Sequence, residues 1–105
     1  DIDGVEVSCQ AGTLIEQFWS PAMNRRNDGY AGSLNNRMRF GLEVLEAVRL
    51  AVGDNFIVGI RMPGDEMLQG GLTQDDCITI AATYASSGLI DFISVGGCLA
   101  STYKD

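Results

Sequence analysis

Arg61 is a cation near the end of an otherwise apolar run, residues 56–62, with the sequence FIVGIRM. A guanidinium in such a position needs an anionic or hydrogen-bond-accepting partner, because burying its charge without one is costly. One interpretation is contact with an anionic ligand or an electron-rich ring. The alternative is an internal salt bridge to Glu6 or Asp91, in which Arg61 serves the scaffold. The residues alone leave both interpretations open.

Three residues with nucleophilic side chains, Ser8, Cys9 and Cys98, offer less support for catalysis. The chain has no histidine to act as a base for Ser8, which excludes a Ser-His-Asp triad within these residues. We therefore favour Ser8 as a polar residue at a strand end. Cys9 and Cys98 are candidates for reactive thiols, but the role of small buried hydrophobic residues is favoured for both.

The segments after the predicted strands carry two further pairs. Asp65 and Glu66 are candidates for acid–base chemistry or for holding a cationic substrate, and the alternative is a solvated pair in a loop. Gly96 and Gly97 give only a weak phosphate-binding signal, because a glycine-rich cradle also needs the N-terminus of a following helix.

A long polar stretch, residues 17–40, interrupts the apolar pattern. Long ordered loops are uncommon in compact domains and are often functional. Three arginines of this stretch are of interest, namely Arg25, Arg26 and Arg37. They are candidates for an anion site, although we favour their pinning the loop to nearby carboxylates and carbonyls. Phe18 and Trp19 are candidates for a pocket wall, with packing beneath the loop as the favoured alternative.

The elements that must position these residues follow from apolar periodicity. The pattern predicts strands over residues 1–7, 56–62 and 89–95, and helices over residues 34–52 and 73–87. Ser33 is a good N-cap, Gly53 suits the end of the first helix, and Thr73 with Asp76 resembles a capping box. Residues 8–18 indicate at most a helical turn. Helices between strands imply right-handed parallel crossovers, so ligands are expected at the carboxyl ends of the strands, in residues 8–12, 61–66 and 96–105.

The composition limits the size and the partners of the chain. Its 105 residues are 46% hydrophobic, which suits one small packed domain. The formal net charge of −7 argues against nucleic acid as a main partner. Its three cysteines lack CxxC spacing, which favours reduced thiols in the cytoplasm, and without histidine no zinc or iron–sulfur site is expected here. We find no signal peptide and no apolar run of about 18 residues, so no membrane partner is expected.

Three parallel strands with two helices make a poor isolated domain. The helices would cover one face of the sheet and leave the other face apolar and open. We therefore expect these residues to be a piece of a larger α/β protein, in which a further segment or a subunit completes the sheet.

Three segments of the chain resemble the Old Yellow Enzyme family of FMN-dependent oxidoreductases. They are DGVEV, QFWSPAMNRRNDGYAGSLNNRMRFGLEVLEAVR and VGDNFIVGIRMPGDE. The resemblance is closest to the long-chain branch with 2,4-dienoyl-CoA reductase, trimethylamine dehydrogenase and N-demethylases. The positions that match the family pattern are Ser20, Pro21, Asn24, Arg26, Gly32, Ser33, Leu34, Asn36, Arg37, Arg39 and Phe40. The resemblance extends over essentially the whole chain.

The resemblance implies a TIM (β/α)8 barrel, of which residues 1–105 would supply about the fourth to sixth strands. It implies FMN as cofactor, with Arg61 as the arginine that contacts the flavin near its N1–C2 edge. A fixed cation there would stabilise the negative charge of the reduced ring. An iron–sulfur cluster and NAD(P)H are compatible with the complete protein, but the residues of this chain do not encode their sites.

Three positions depart from the family pattern. Many members have a histidine, then a histidine or asparagine, and then a tyrosine that donates a proton, where this chain has Ser8, Ala11 and Thr13. None of these three can hold an oxyanion as a histidine pair does, and none is a competent acid at neutral pH. The resemblance therefore favours oxidation of an N-methylated amine or amino acid over reduction of an enone.

An amine substrate needs an aromatic wall and a carboxylate near the flavin. The candidates for this pocket are Trp19, Asp65, Glu66, Tyr103 and Asp105. Two alternatives remain open, an enoate or dienoyl-CoA-type reductase that uses NAD(P)H and a barrel relative without catalytic activity. The expected partners are a small-molecule substrate, the rest of the barrel and further copies in a homo-oligomer.

Overall fold

The computed structural model describes residues 2–96, which form a parallel sheet with helices packed against it. The elements are β1 (Gly4–Ser8), α1 (Leu14–Trp19), α2 (Leu34–Val52), β2 (Ile57–Pro63), α3 (Gln74–Ser86) and β3 (Phe92–Gly96). β2 lies between β1 and β3 and pairs in parallel with both. The predicted strand order and direction are therefore confirmed.

Local capping explains where the two long helices begin and end. The Ser33 hydroxyl accepts a hydrogen bond from the amide of Asn36, and α2 ends at Gly53, whose φ of 83° favours glycine. Thr73 and Asp76 form a complete capping box at the start of α3. Both helices match the predicted bounds to within one residue.

The third strand starts later than the sequence pattern indicates. β3 begins at Phe92 rather than at residue 89, because Asp91 is held outside the strand ladder. Its carboxylate accepts a hydrogen bond from the amide of Val58 at 2.9 Å and pairs with Arg49 at 3.0 Å. These contacts attach the connection between α3 and β3 to the amino end of β2 and to α2.

The core lies between one face of the sheet and the helices. Val58, Ile60 and Met62 alternate along β2, are at most 1% exposed and belong to one apolar cluster. The buried helix residues of this cluster include Met38 and Leu45 of α2, and Cys77, Ile80 and Tyr84 of α3. Both helices therefore cover the same face of the sheet, as predicted.

The opposite face of the sheet, here called the open face, is uncovered by residues 2–96. Near the amino end it is apolar, because Ile57 and Phe92 are 47% and 39% exposed. The Phe92 ring lies over Gly59, where a Cβ atom would overlap it. Toward the carboxyl end the open face carries polar groups instead, so the expectation of a wholly apolar face is wrong.

The long polar stretch is shorter than predicted, because α1 and α2 include both of its ends. What remains is held by Asn24, whose amide donates to the carbonyls of Phe18 and Tyr30 at 2.7 Å. Arg26 pairs with Asp28, and Arg37 donates to the carbonyl of Trp19 at 2.7 Å. These two arginines pin the loop, as the favoured interpretation predicted.

Within residues 2–96, no helix is long and apolar enough to cross a membrane.

Candidate active site at the carboxyl ends of the strands

A row of polar residues crosses the open face near the carboxyl ends of all three strands. Arg61 of β2 is paired in register with Ser8 of β1 and with Ser94 of β3. Paired residues of parallel strands point to the same face, so these three side chains lie side by side. The sequence analysis identified Ser8 and Arg61 but missed Ser94, because its partner is known only once the register is known.

The Arg61 side chain has no carboxylate partner in the described part of the chain. Arg61 is exposed, and the ion pairs found among residues 2–96 join Arg26 to Asp28 and Arg49 to Asp91. Asp91 is already engaged elsewhere, because its carboxylate accepts the amide of Val58 and pairs with Arg49, and these contacts hold its pKa below the usual value. The alternative of a scaffold salt bridge from Arg61 to Glu6 or Asp91 is therefore wrong for this structure.

The turn after β1 holds the other two positions that depart from the family pattern. Ala11 has a φ of 58°, in the left-handed region, and it is exposed at the tip of the turn. The Thr13 hydroxyl donates to the carbonyl of Gln10 at 2.8 Å and lies 3.2 Å from that of Ser8. Thr13 therefore fixes the turn, and its hydroxyl proton is already engaged.

Two of the predicted pocket residues are buried on the helix side of the sheet. Trp19 is 0% exposed, and its indole N–H donates to the Tyr84 hydroxyl at 2.9 Å. Glu66 is also 0% exposed, and its Oε1 accepts hydrogen bonds from the Ser20 hydroxyl and the Leu72 amide. This placement argues against both as pocket residues, because each serves packing within the described chain.

The remaining pocket candidates have different positions. Asp65 is exposed, but its Oδ1 accepts the amide of Met67 at 2.7 Å and stabilises a turn in which Met67 has a φ of 56°. The interpretation of Asp65 and Glu66 as a solvated pair therefore holds for only one of them. Tyr103 and Asp105 lie outside the described residues, as do Gly97 and Cys98.

Glu16 is a buried acid that the sequence analysis missed. It is 0% exposed, and its Oε1 accepts the amide of Gly12 at 2.6 Å. Burial raises the pKa of Glu16, and the nearby Glu66 charge contributes in the same direction. Hydrophobic periodicity cannot identify a buried acid, because it predicts apolar side chains at the buried positions of a helix.

Cys9 is a packed residue rather than a reactive one. It follows Ser8 on the other face of the sheet and is 0% exposed. Burial, reinforced by the charge of Glu16, raises the pKa of its thiol to about 12. The favoured interpretation of Cys9 as a small buried hydrophobic residue is confirmed.

Barrel enzymes with parallel strands bind their ligands at the carboxyl ends of the strands. Arg61 lies at this edge without a carboxylate partner among residues 2–96. This chain belongs to the NADH:flavin oxidoreductase / NADH oxidase family, whose sequence profile matches residues 1–97. The resemblance to the Old Yellow Enzyme family is thereby confirmed.

Several known proteins are similar to this chain. It is 53% identical over 103 residues to an N,N-dimethylglycine/sarcosine dehydrogenase of Chromohalobacter salexigens, covering 98% of the chain and 15% of that protein. It is 46% identical over 94 residues to a probable N-methylproline demethylase of Rhizobium meliloti, covering 90% of the chain and 14% of that protein. The structure of a 2-naphthoyl-CoA reductase complex superimposes with a TM-score of 0.88 at 36% identity, covering 93% of this chain and 15% of that one.

These relatives confirm the predicted fold class, an α/β segment of a TIM barrel. The chain spans 15% or less of the length of each relative described.

Proposed function

We propose that the complete protein is an FMN-dependent oxidoreductase that oxidises an N-methylated amine or amino acid. The observation that carries the proposal is the Arg61 guanidinium, which is exposed on the open face and has no carboxylate partner among residues 2–96. The carboxyl edge of a parallel barrel is where such enzymes bind their ligands. The family of the chain supports a flavin as the group that Arg61 contacts.

The residues of the open face fit this cofactor. A bound flavin supplies the acceptor for a hydride from the substrate. Arg61 would hold the electron-rich edge of the ring, and its fixed positive charge would stabilise the negative charge that builds up there. The planar guanidinium suits this task better than an ammonium, because it presents several N–H donors in one plane.

The substrate class is supported by what the turn after β1 lacks. Ser8 and Ala11 offer no imidazole, and the hydroxyl of Thr13 is engaged by backbone carbonyls, so no side chain in this turn is placed to protonate an alkene. Oxidation of an amine needs no such acid. The similarity to a dimethylglycine/sarcosine dehydrogenase and a probable N-methylproline demethylase supports the same choice.

A reductase of enoates or CoA thioesters is the second candidate, because the 2-naphthoyl-CoA reductase has a closely similar fold. Anaerobic mixing of the purified protein with N-methylated amino acids, and separately with enones after reduction by NADH, distinguishes the two. We expect bleaching of the flavin absorbance by the amino acids and little reoxidation by the enones. Absence of any flavin absorbance would instead support a barrel without catalytic activity.

The role of Arg61 is tested by its own variants in the complete protein. Arg61→Lys keeps the charge but loses the planar fork, and Arg61→Ala loses both. We expect both to lower the reduction potential of the flavin, Ala more than Lys, by the equivalent of about 1–3 kcal/mol. For a two-electron couple, roughly 30 mV corresponds to 1.4 kcal/mol.

A merely structural arginine gives a different result. In that case the melting temperature falls and the potential of the bound flavin stays unchanged. Arg25→Ala is a suitable control, because Arg25 is exposed in the loop before α2. Potential and melting temperature measured on the same variants decide between the two roles.

A further inference from the structure

The side-chain amide of Gln10 lies on the open face, next to the row formed by Ser8, Arg61 and Ser94. Gly96 follows Ser94 by two residues in β3, so its Cβ direction points to the same face. A Cβ atom built on Gly96 would overlap the Gln10 amide, most severely at Oε1, and would come within 2.8 Å of Cδ and 2.9 Å of Nε2. The side chain of Gln10 therefore reaches from the end of β1 to the end of β3.

The backbone holds Gln10 firmly in this place. Its carbonyl accepts both the hydroxyl and the amide of Thr13, at 2.8 and 3.2 Å. The next residue, Ala11, has a φ of 58°, which closes the turn. A residue other than glycine in this conformation costs on the order of 1 kcal/mol, so the turn is specified by its surroundings.

The amide has no hydrogen-bond partner among residues 2–96. Its Oε1 is shielded from solvent, although Gln10 as a whole is partly exposed. Because Oε1 is shielded, a ligand that binds this amide would do so through its nitrogen. Turning the amide over would bury two N–H donors in place of one acceptor, which is the less favourable arrangement.

We propose that Gln10 binds the carboxylate of the substrate through its Nε2 donors, which makes the substrate an N-methylated α-amino acid rather than a simple amine. The inference rests on the proposed function. Gln10 and Arg61 both carry N–H donors on the open face, and such donors bind an anionic oxygen. An acyl-CoA or enone offers no carboxylate at this point.

The test compares two substrates that differ only where Gln10 is expected to act. N,N-dimethylglycine carries a carboxylate, and N,N-dimethylisobutylamine carries an isopropyl group in its place. The apparent dissociation constant and the limiting rate of flavin reduction are measured for both by stopped flow in the complete protein. The variants are Gln10→Met, which keeps the length of the side chain, and Gln10→Glu, which places a like charge against the carboxylate.

We expect Gln10→Met to raise the dissociation constant for N,N-dimethylglycine about 10- to 100-fold, the effect of losing a hydrogen bond to a charged group. The constant for the isobutylamine should be unchanged. Gln10→Glu should raise the dissociation constant for N,N-dimethylglycine further. It should leave the constant for the isobutylamine unchanged or lower it. Gly96→Ala displaces the amide without removing it, and should behave like Gln10→Met even if that variant folds poorly.

The control is Gln69→Met, in an exposed residue of the loop after β2, which should change neither constant. Equal effects of Gln10→Met on both compounds, or none on N,N-dimethylglycine, would overturn the assignment of Gln10. Reduction by simple amines but by no N-methylated amino acid would overturn this inference and leave the proposed function standing. Failure of every amine and amino acid to reduce the flavin would overturn both.

Discussion

Ser8 and Cys9 are neighbours in the chain with opposite roles, because alternate residues of a strand point to opposite faces. Ser8 lies exposed beside Arg61, whereas Cys9 is buried against the helices. Cys77 of α3 is 3% exposed and belongs to the same core. The face of the sheet on which Ser8 and Cys9 lie therefore decides whether a ligand can reach them.

The buried thiols lead to a prediction about alkylation. Burial raises the pKa of Cys9 and of Cys77 from 9.0 to about 12, which disfavours the thiolate. At about pH 8 the thiolate fraction then falls roughly thousandfold, and the thiolate is the form that reacts with iodoacetamide. We expect both residues to stay unlabelled in the folded complete protein and to react fully in guanidinium chloride, as measured by peptide mass spectrometry. Rapid labelling of either one in the native state would contradict this.

At the scale of elements, two buried acids hold together the loops at the carboxyl edge. Glu16 of α1 accepts the amide of Gly12 in the turn after β1. Glu66 accepts the hydroxyl of Ser20 and the amide of Leu72, and so closes the loop after β2. Each acid has a second oxygen, Oε2, that is buried without a partner in the described residues. The turn after β1 and the loop after β2 are therefore each held by a buried carboxyl group.

The stability of this region should depend on pH through Glu16. Its pKa in the folded state is raised above the ordinary value of 4.5, first by burial and also by the charge of Glu66. The stability that its protonated form provides is fully present below pH 4.5 and is lost as the pH rises through the folded-state pKa. Glu16→Gln keeps the acceptor for Gly12 but cannot ionise.

We therefore expect the melting temperature of Glu16→Gln, relative to the unmodified protein, to increase as the pH is raised from about 4 to 8. Differential scanning fluorimetry of the complete protein measures this difference. The matched control is Glu46→Gln, at an exposed position of α2, which should show a small difference that is constant with pH. A constant difference for Glu16→Gln as well would mean that Glu16 ionises normally in the folded state.

For the whole molecule, the open face and the two outer strands determine how the chain behaves alone. On the open face, Ile57 and Phe92 are 47% and 39% exposed, and Val95 on the other face of β3 is 67% exposed. β1 and β3 each have one unpaired edge among residues 2–96. Exposed apolar strands with free edges favour association between chains. We expect residues 1–105 expressed alone to aggregate or to melt without a cooperative transition.

Size-exclusion chromatography and circular dichroism of that fragment measure the outcome. Val95→Lys, which places a charge on the edge strand β3, should reduce aggregation. Leu50→Lys is the control, because Leu50 is 88% exposed on α2 rather than on a strand, and its change should have little effect. A sharp melt of a monomeric fragment would show that the open face needs no cover.

The sequence by itself determined the elements and their order. Ser33, Gly53 and Thr73 fix helix ends through hydrogen bonds and backbone angles that involve only a few neighbouring residues. Alternation of strands and helices then predicted parallel strands, and sequential neighbours in the sheet were the favoured order, as found. The position of Arg61 at the carboxyl edge followed from the same local pattern.

Only the tertiary structure decided which polar groups reach the candidate site. Trp19 bonds to Tyr84 and Ser20 bonds to Glu66, across 65 and 46 residues of chain, and these contacts bury Trp19 and Glu66 on the helix side. Ser94 and Gln10 meet Arg61 on the open face through strand register and through one turn. Local periodicity cannot report such pairings, because the free energy of burying a polar group is set by partners from distant segments.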